Sequence, residues 1–354
     1  MPESGTSRRH FFRYAAALGL GARTLMSSGS LKAAVSDARA VGAPWPEMQY
    51  RTLGRTGFEA SRLIFGCGAS LMRTNKDTLL NAALDAGINV FDVGTTHYYD
   101  MAERNLKGFL AAHRDEIFLI SKASPAHADG SLAKEPGEPV TVDEAKRSAK
   151  AWLELLDLSL TELGTDHVDA YYQMAANNVA LVGSEEMFRA FESAKAAGKV
   201  RFYGLSTHQN AEAVLNTAIE TGFFDLAMIA ITPGGWYDWQ GKNILAGSPP
   251  MTTVRPLLDR ARAAGIGLVG MKAVRYFSSG FFGTSDQKAF DGYYPEALLA
   301  SELSAFQKSY AYVLENGLDC VNADIQNFHQ LRENQLAAAT SGAYFDAPER
   351  TAAA

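Results

Sequence analysis

The sequence predicts an α/β fold, a closed (β/α)8 TIM-type barrel with an N-terminal β-hairpin, and three observations carry that expectation. Short, nearly continuous apolar runs alternate with amphipathic segments, the pattern of parallel strands covered by helices on their outer face. The units number eight, enough to close the sheet on itself, with an open doubly wound sheet as the alternative. Two of the runs end in an ionisable residue, Asp92 and Lys122. A charge in apolar surroundings needs a partner at the strand mouth, and that is where parallel barrels keep their chemistry.

Taken in order, residues 1–40 read as a leader distinct from a single barrel domain over residues 41–354. Ser7-Arg8-Arg9-His10-Phe11-Phe12-Arg13 precedes an apolar run from Tyr14 to Ala22, and Ala38-Arg39-Ala40 offers a small-residue cleavage pattern. Paired arginines before a weakly hydrophobic core predict the twin-arginine export machinery as a partner and a periplasmic or otherwise exported location. A plain basic N-terminus is the simpler alternative. The run is too short for a transmembrane helix.

Tyr50 to Ser61 (YRTLGRTGFEAS) reads as two short strands around a Gly-containing turn, placed to close the barrel floor. The strands follow at Arg62–Cys67, Asn89–Gly94, Ile117–Ala123, Val168–Met174, Val200–Thr207, Leu226–Thr232, Ile266–Ala273 and Cys320–Ile325. Apolar residues at three- and four-residue spacing predict helices at Asp77–Ala86, Asp100–Ala112, Val142–Leu163 and Glu185–Ala197. The same spacing continues at Ala211–Thr221, Val254–Ala264, Glu296–Glu315 and Gln330–Ala339. Ser124 to Val140 carries the Pro and Gly of a long loop over a strand mouth.

The length after the leader suits one large core. With 33 basic and 39 acidic residues and a net charge of −6, the chain offers no electrostatic footprint for nucleic acid. A small-molecule partner is favoured. Cys67 and Cys320 both lie in strand-like runs on neighbouring strands, either as two buried thiols or as a disulfide. The histidines are scattered without ligand spacing, so no metal is expected.

Several segments in succession carry a family resemblance: YRTLGRTGFEASRLIFGCG, AALDAGINVFDVG, DEIFLISKAS, LTELGTDHVDAYY, GKVRFYGLSTH, GIGLVGMKAV and LRENQLAAA. From Tyr50 to Ala339 the chain resembles the aldo-keto reductases, nicotinamide-dependent carbonyl reductases built on this barrel. The resemblance implies NADP(H) or NAD(H) as cofactor and a carbonyl or alcohol as substrate. It implies a catalytic group of aspartate, tyrosine, lysine and histidine. In that group an ammonium held by a carboxylate lowers the pKa of a phenol, which otherwise lies near ~10.

Asp92 and Lys122 match two of the four positions. An ungapped count reaches His97 where the tyrosine is expected, supported by the spacing to Glu103. A one-residue adjustment of the loop instead puts Tyr98 there, with Tyr99 following, and Tyr98 is the expected proton donor. Met174 stands in place of the histidine and cannot donate a hydrogen bond. Another donor such as Gln173, His127 or His208 is then required, or carbonyl reduction is not the task.

By the same resemblance Ser206, Thr207, Glu333 and Asn334 are the expected cofactor-binding positions, and Lys272 with Arg275, after the seventh strand, is expected to supply charge to the cofactor phosphates. Thr207 replaces an asparagine, Met228 a glutamine, Ile231 a ring and Gln326 a basic residue of the family pattern. Trp236 and Tyr237, in the aromatic stretch Gly234 to Gln240, join Met174 as the expected substrate wall, unless they pack against Tyr276, Phe277, Phe281 and Phe282. Two functions remain open: an exported oxidoreductase, or a catalytically impaired periplasmic binding or partner protein on the same barrel. A different redox partner in the same pocket is a third.

Overall fold

The computed structural model describes residues 45–126, 133–278 and 286–345. The expected leader over residues 1–40, His127, Phe281 and Phe282 lie outside them. The strands are β1 (Tyr50–Thr52), β2 (Glu59–Ser61), β3 (Leu63–Gly66), β4 (Val90–Asp92), β5 (Phe118–Ala123) and β6 (Val168–Met174). They continue with β7 (Val200–Thr207), β8 (Leu226–Thr232), β9 (Gly235–Asp238), β10 (Asn243–Ile244), β11 (Gly267–Met271) and β12 (Cys320–Asp324).

β3 to β8 pair in sequence, all parallel. β8 then pairs with β11, β11 with β12, and β12 with β3 again, so the sheet closes on eight strands. Because side chains alternate along a strand, each strand has one face in the barrel and one under the helices. Ile64, Val90, Ile120, Tyr172, Met228 and Val269 pack together inside. Phe65, Phe91, Leu119, Tyr171, Tyr203 and Leu268 pack outward against helix residues such as Trp152, Leu156 and Phe191.

The β1–β2 hairpin closes the N-terminal end, as its composition suggested. Its turn presses so near the barrel that a Cβ on Gly54 would stand 2.2 Å from the Gly267 nitrogen, and φ there is +53°. Only glycine meets both conditions. Phe58 plugs the opening with its ring 5.0 Å from that of Phe118.

The same end is pinned by carboxylates that accept strand N–H groups. Asp169 takes the Leu119 nitrogen at 2.8 Å, Asp225 that of Tyr203 at 2.9 Å, and Asp319 that of Leu268 at 2.8 Å. Arginines back each of them: Arg114 and Arg201 on Asp169, Arg55 on Asp225, Arg262 on Asp319. Charge at this end therefore serves architecture, and chemistry is left to the other.

Three expectations change in detail, and of the two alternatives for the cysteines the structure has the buried thiols. The helix expected over Glu296–Glu315 is two, Glu296–Leu299 and Ala305–Glu315, because Ser304 and Gln307 form a capping box that starts the second. The stretch after β8 is a β9–β10 extension, with Ile231 paired to Trp236. Asp100 has φ +50° and breaks the expected Asp100–Ala112 helix from the short turn before it. Cys67 and Cys320 are free, buried thiols. Val321 pairs with Leu63, which sets Cys320 level with Arg62 and leaves Cys67 roughly 16 Å further along, beyond the reach of a disulfide.

Candidate active site

The C-terminal ends of the strands open into a cavity of about 650 Å³. Strand parity decides which side chains reach it: Asp92, Lys122, Met174, Ser206, Met228 and Asn322 all stand at inward positions and line the wall. Thr207 and Gln173, one residue out of phase with Ser206 and Met174, turn away. The Gln173 amide donates to the Tyr203 hydroxyl outside the barrel.

Lys122 Nζ donates to both Asp92 oxygens and to the Val93 carbonyl, each at 2.6 Å. Each side chain of the pair is 4% exposed. Asn322 Nδ2 adds a second donor to Asp92 Oδ2, also at 2.6 Å. Burial raises the Asp92 carboxyl above its ordinary pKa, opposed first by Lys122 and then by Asn322.

The aromatic candidates occupy a single helical turn, Thr96–Tyr99. His97 is exposed, with Nδ1 3.4 Å from Thr95 Oγ1. Tyr98 is 40% exposed and lies edge-on against Tyr99, their centroids 4.7 Å apart. The ring beside the ion pair is Tyr99, one position beyond the expected Tyr98: Lys122 Nζ is 5.6 Å from its centroid. A Cβ on Gly68 would meet the Tyr99 ring at 2.5 Å and one on Gly94 would meet it at 2.9 Å, so two glycines make the slot.

Burial, then Asp92, Asp324 and Tyr98, raise the Tyr99 hydroxyl well above its ordinary range. The lowering by the ammonium that the resemblance implies is not found here, and the hydrogens of Lys122 go to Asp92 and Val93. Tyr99 is thus a protonated phenol near neutrality. Glu103 is no part of the cavity. It is buried under the helices, where Oε1 accepts from Ser121 Oγ at 2.7 Å, and burial raises its pKa.

Met174 lines the cavity as expected. A donor that sequence reasoning only named in passing, His208, stands on the same wall with its ring 5.6 Å from that of Trp239. Burial and the positive Lys272, Lys122 and Lys242 push its pKa down to about 3. It is therefore a neutral imidazole with one N–H to give.

The expected cofactor positions divide. Ser206, Lys272, Glu333 and Asn334 line the cavity, whereas the Thr207 hydroxyl lies 2.8 Å from Asn177 Oδ1 and 2.6 Å from the Gln209 carbonyl, with one hydrogen to give to either. Asn177 itself lines the wall. Its Oδ1 also accepts the His208 and Gln209 nitrogens, which fixes the amide and leaves Nδ2 for a ligand. An amide thus reaches the wall from the loop after β6, where no local motif announces it.

Cations gather about one ring. Lys242, Lys272 and the Arg275 guanidinium lie 3.0, 4.5 and 5.8 Å from the Trp239 centroid. Trp239, with Lys272 and Arg275, lines the cavity. Trp236 and Tyr237 are buried in the core on β9 and do not form the wall expected of them. Gln326 Oε1 accepts from Lys76 Nζ at 2.8 Å, and Glu333 accepts from Ser304 Oγ at 2.6 Å. Among the described residues no cluster of His, Cys, Asp and Glu has the makings of a metal site. No helix of the described residues is long and apolar enough to cross a membrane.

The profile of the Aldo/keto reductase family matches residues 63–275, more than half of the chain. The uncharacterized oxidoreductase YqkF of Bacillus subtilis is 27% identical over 303 residues, covering 82% of this chain and 91% of the relative. The L-glyceraldehyde 3-phosphate reductase of Escherichia coli is 27% identical over 172 residues, 46% of each chain. A solved aldo-keto reductase of Bacillus halodurans, in its holo form, superposes with a TM-score of 0.58 over 82% of this chain and 91% of its own, at 18% identity. That likeness bears on the fold.

Proposed function

The chain belongs to the aldo/keto reductase family, and on that premise we propose that it transfers hydride between NADP(H) or NAD(H) and a small carbonyl or alcohol substrate. The observation that carries the reading is the buried Asp92–Lys122 pair beside Tyr99 at the open end of the barrel. Such a pair adds little stability over well-packed apolar residues, so its presence on a cavity wall argues for chemistry.

The residues present suit a nicotinamide dinucleotide. Ser206 and the Asn177 amide offer hydrogen bonds to a carboxamide, Lys272 and Arg275 offer charge to a pyrophosphate, and Glu333 and Asn334 stand at the further end of the cavity. Bound there, the cofactor supplies or accepts the hydride. The Tyr99 hydroxyl gives its proton to the carbonyl oxygen, and Lys122, held by Asp92, stabilises the phenolate that remains. His208 takes over the second donor role that Met174 cannot fill. The role expected of Tyr98 passes to Tyr99 because Tyr99 is the ring enclosed beside the ammonium.

The N-terminal Arg8-Arg9 motif supports export in the folded state, with the periplasm as the place of action. A second reading, a binding protein without turnover, is favoured by Met174, Met228 and Ile231, which replace three polar or aromatic groups of the family pattern. Titrating the purified full-length protein with NADPH and NADH, then following nicotinamide absorbance with a panel of aldehydes and ketones, separates the two. Binding with turnover is expected. Binding without turnover favours the second reading, and no binding of either nucleotide refutes the oxidoreductase.

A further inference from the structure

Asn322 sits at an inward position of β12, between Cys320 at the strand's start and Asp324 at the cavity mouth. Its Nδ2 donates to Asp92 Oδ2 at 2.6 Å and lies 3.5 Å from Met228 Sδ, so one amide reaches from the ion pair towards the opposite wall. Its Oδ1 is buried and, among the described residues, accepts no hydrogen bond. Oδ1 is pressed towards Gly66, where a Cβ would come within 2.7 Å of it. Turning the amide over would set an oxygen against the carboxylate, so Asp92 fixes the orientation.

This arrangement costs folding energy, because an apolar side chain would fill the same space without an orphaned acceptor. A residue kept at such a cost has a task towards its one polar partner. We propose that Asn322 is a positioning residue for the reaction, pinning Asp92 so that the carboxylate stays ionised and bidentate on Lys122 while Tyr99 exchanges its proton. The proposal rests on the oxidoreductase reading above. The titratable groups around Asp92 are Lys122 on β5, Asp324 on β12, Cys67 after β3, Tyr99 after β4 and Tyr172 on β6. Lys122 and Asn322 favour the ion, while burial and Asp324 oppose it.

The test compares Asn322→Leu and Asn322→Asp with the parent, each as the full-length chain. A hydrogen bond to a charged group predicts that Asn322→Leu lowers kcat roughly ten- to a hundredfold. KM for the nicotinamide should stay within about twofold, because the amide acts on the chemical step. The acidic limb of its pH profile moves to higher pH, since losing the donor favours protonated Asp92. Asn322→Asp behaves oppositely: its activity rises as pH falls, because the new carboxyl donates to Asp92 only when protonated.

Titration of the Asp92 carboxyl carbon by 13C NMR, without nucleotide, reads the same effect directly and is expected to move upward in Asn322→Leu. An unmoved titration in a folded Asn322→Leu, or a loss of thermal stability with kcat and pH profile unchanged, overturns the proposal. If the parent neither binds nor turns over nicotinamide, the oxidoreductase reading fails on its own. The NMR titration then still decides whether Asn322 governs the Asp92–Lys122 pair.

Discussion

Replacing Lys122 with methionine keeps the volume of the stem and removes the charge, leaving Asp92 buried with only the Asn322 amide beside it. An ionised carboxylate so placed has one cheap escape, which is to take up a proton. From an unfolded-state pKa near ~3.9, protonation at pH 7 costs about 4 kcal/mol, at about 1.4 kcal/mol per pH unit. That sets the ceiling on the loss, and it agrees with the ~3–5 kcal/mol typical of breaking a buried pair from one side.

The sign follows from the direction of the shift. Burial raises the Asp92 pKa and Lys122 opposes that rise, so removing Lys122 raises it further, and the variant loses more stability than the parent as pH climbs above the unfolded-state pKa. Urea denaturation of parent and Lys122→Met between about pH 5 and pH 7 should therefore show a gap that widens with pH, under ceilings of about 1.5 and about 4 kcal/mol. A gap that is constant across that range, or below ~1 kcal/mol at pH 7, would refute the view that Lys122 is what keeps Asp92 charged.

Glu103 gives a companion case without catalysis: its Oε2 is buried with no partner among the described residues and its pKa is raised by burial, so the parent loses stability as pH climbs. Glu103→Gln should flatten that slope and gain on the order of 1 kcal/mol over the parent at alkaline pH, read by thermal melts; identical slopes would contradict it. Gly68→Ala drives a methyl into the Tyr99 ring, which Gly94 blocks on the other side. Turnover should fall by about tenfold or more through misplacement of the phenol, with nucleotide affinity and melting temperature nearly kept, and an unchanged kcat would show that the slot does not matter.

The barrel was legible because its signals are local. Val142–Leu163 begins at a Thr141–Glu144 capping box and stops at Gly164 in the left-handed region, and both ends match the expectation from periodicity. β6, β7 and β8 match as well, their apolar runs being bounded by polar or turn residues. Asp92 and Lys122 stood out for the same reason, as charges in apolar runs. The rest of the site depends on distance in space.

Tyr99 rather than Tyr98 reaches the ion pair because neighbours on one helical turn point about 100° apart and only Tyr99 faces the slot between Gly68 and Gly94, which spacing does not reveal. Asn177 and Asn322 enter from the loop after β6 and from β12 with no motif around them. Thr207 was different: strand parity with Ser206 was readable from the start and would have turned it outward. The split at Ser304 was readable too, from its capping pair with Gln307.

In the proposed mechanism Tyr99, enclosed beside Lys122, supplies the proton. Single-turnover hydride transfer by Tyr99→Phe and Tyr98→Phe, with nucleotide affinity measured alongside, tests it most directly. Tyr99→Phe should lose ~10²-fold or more, with near-parent rates for Tyr98→Phe and nucleotide binding kept in both. Near-parent transfer in Tyr99→Phe, or the larger loss in Tyr98→Phe, would contradict it.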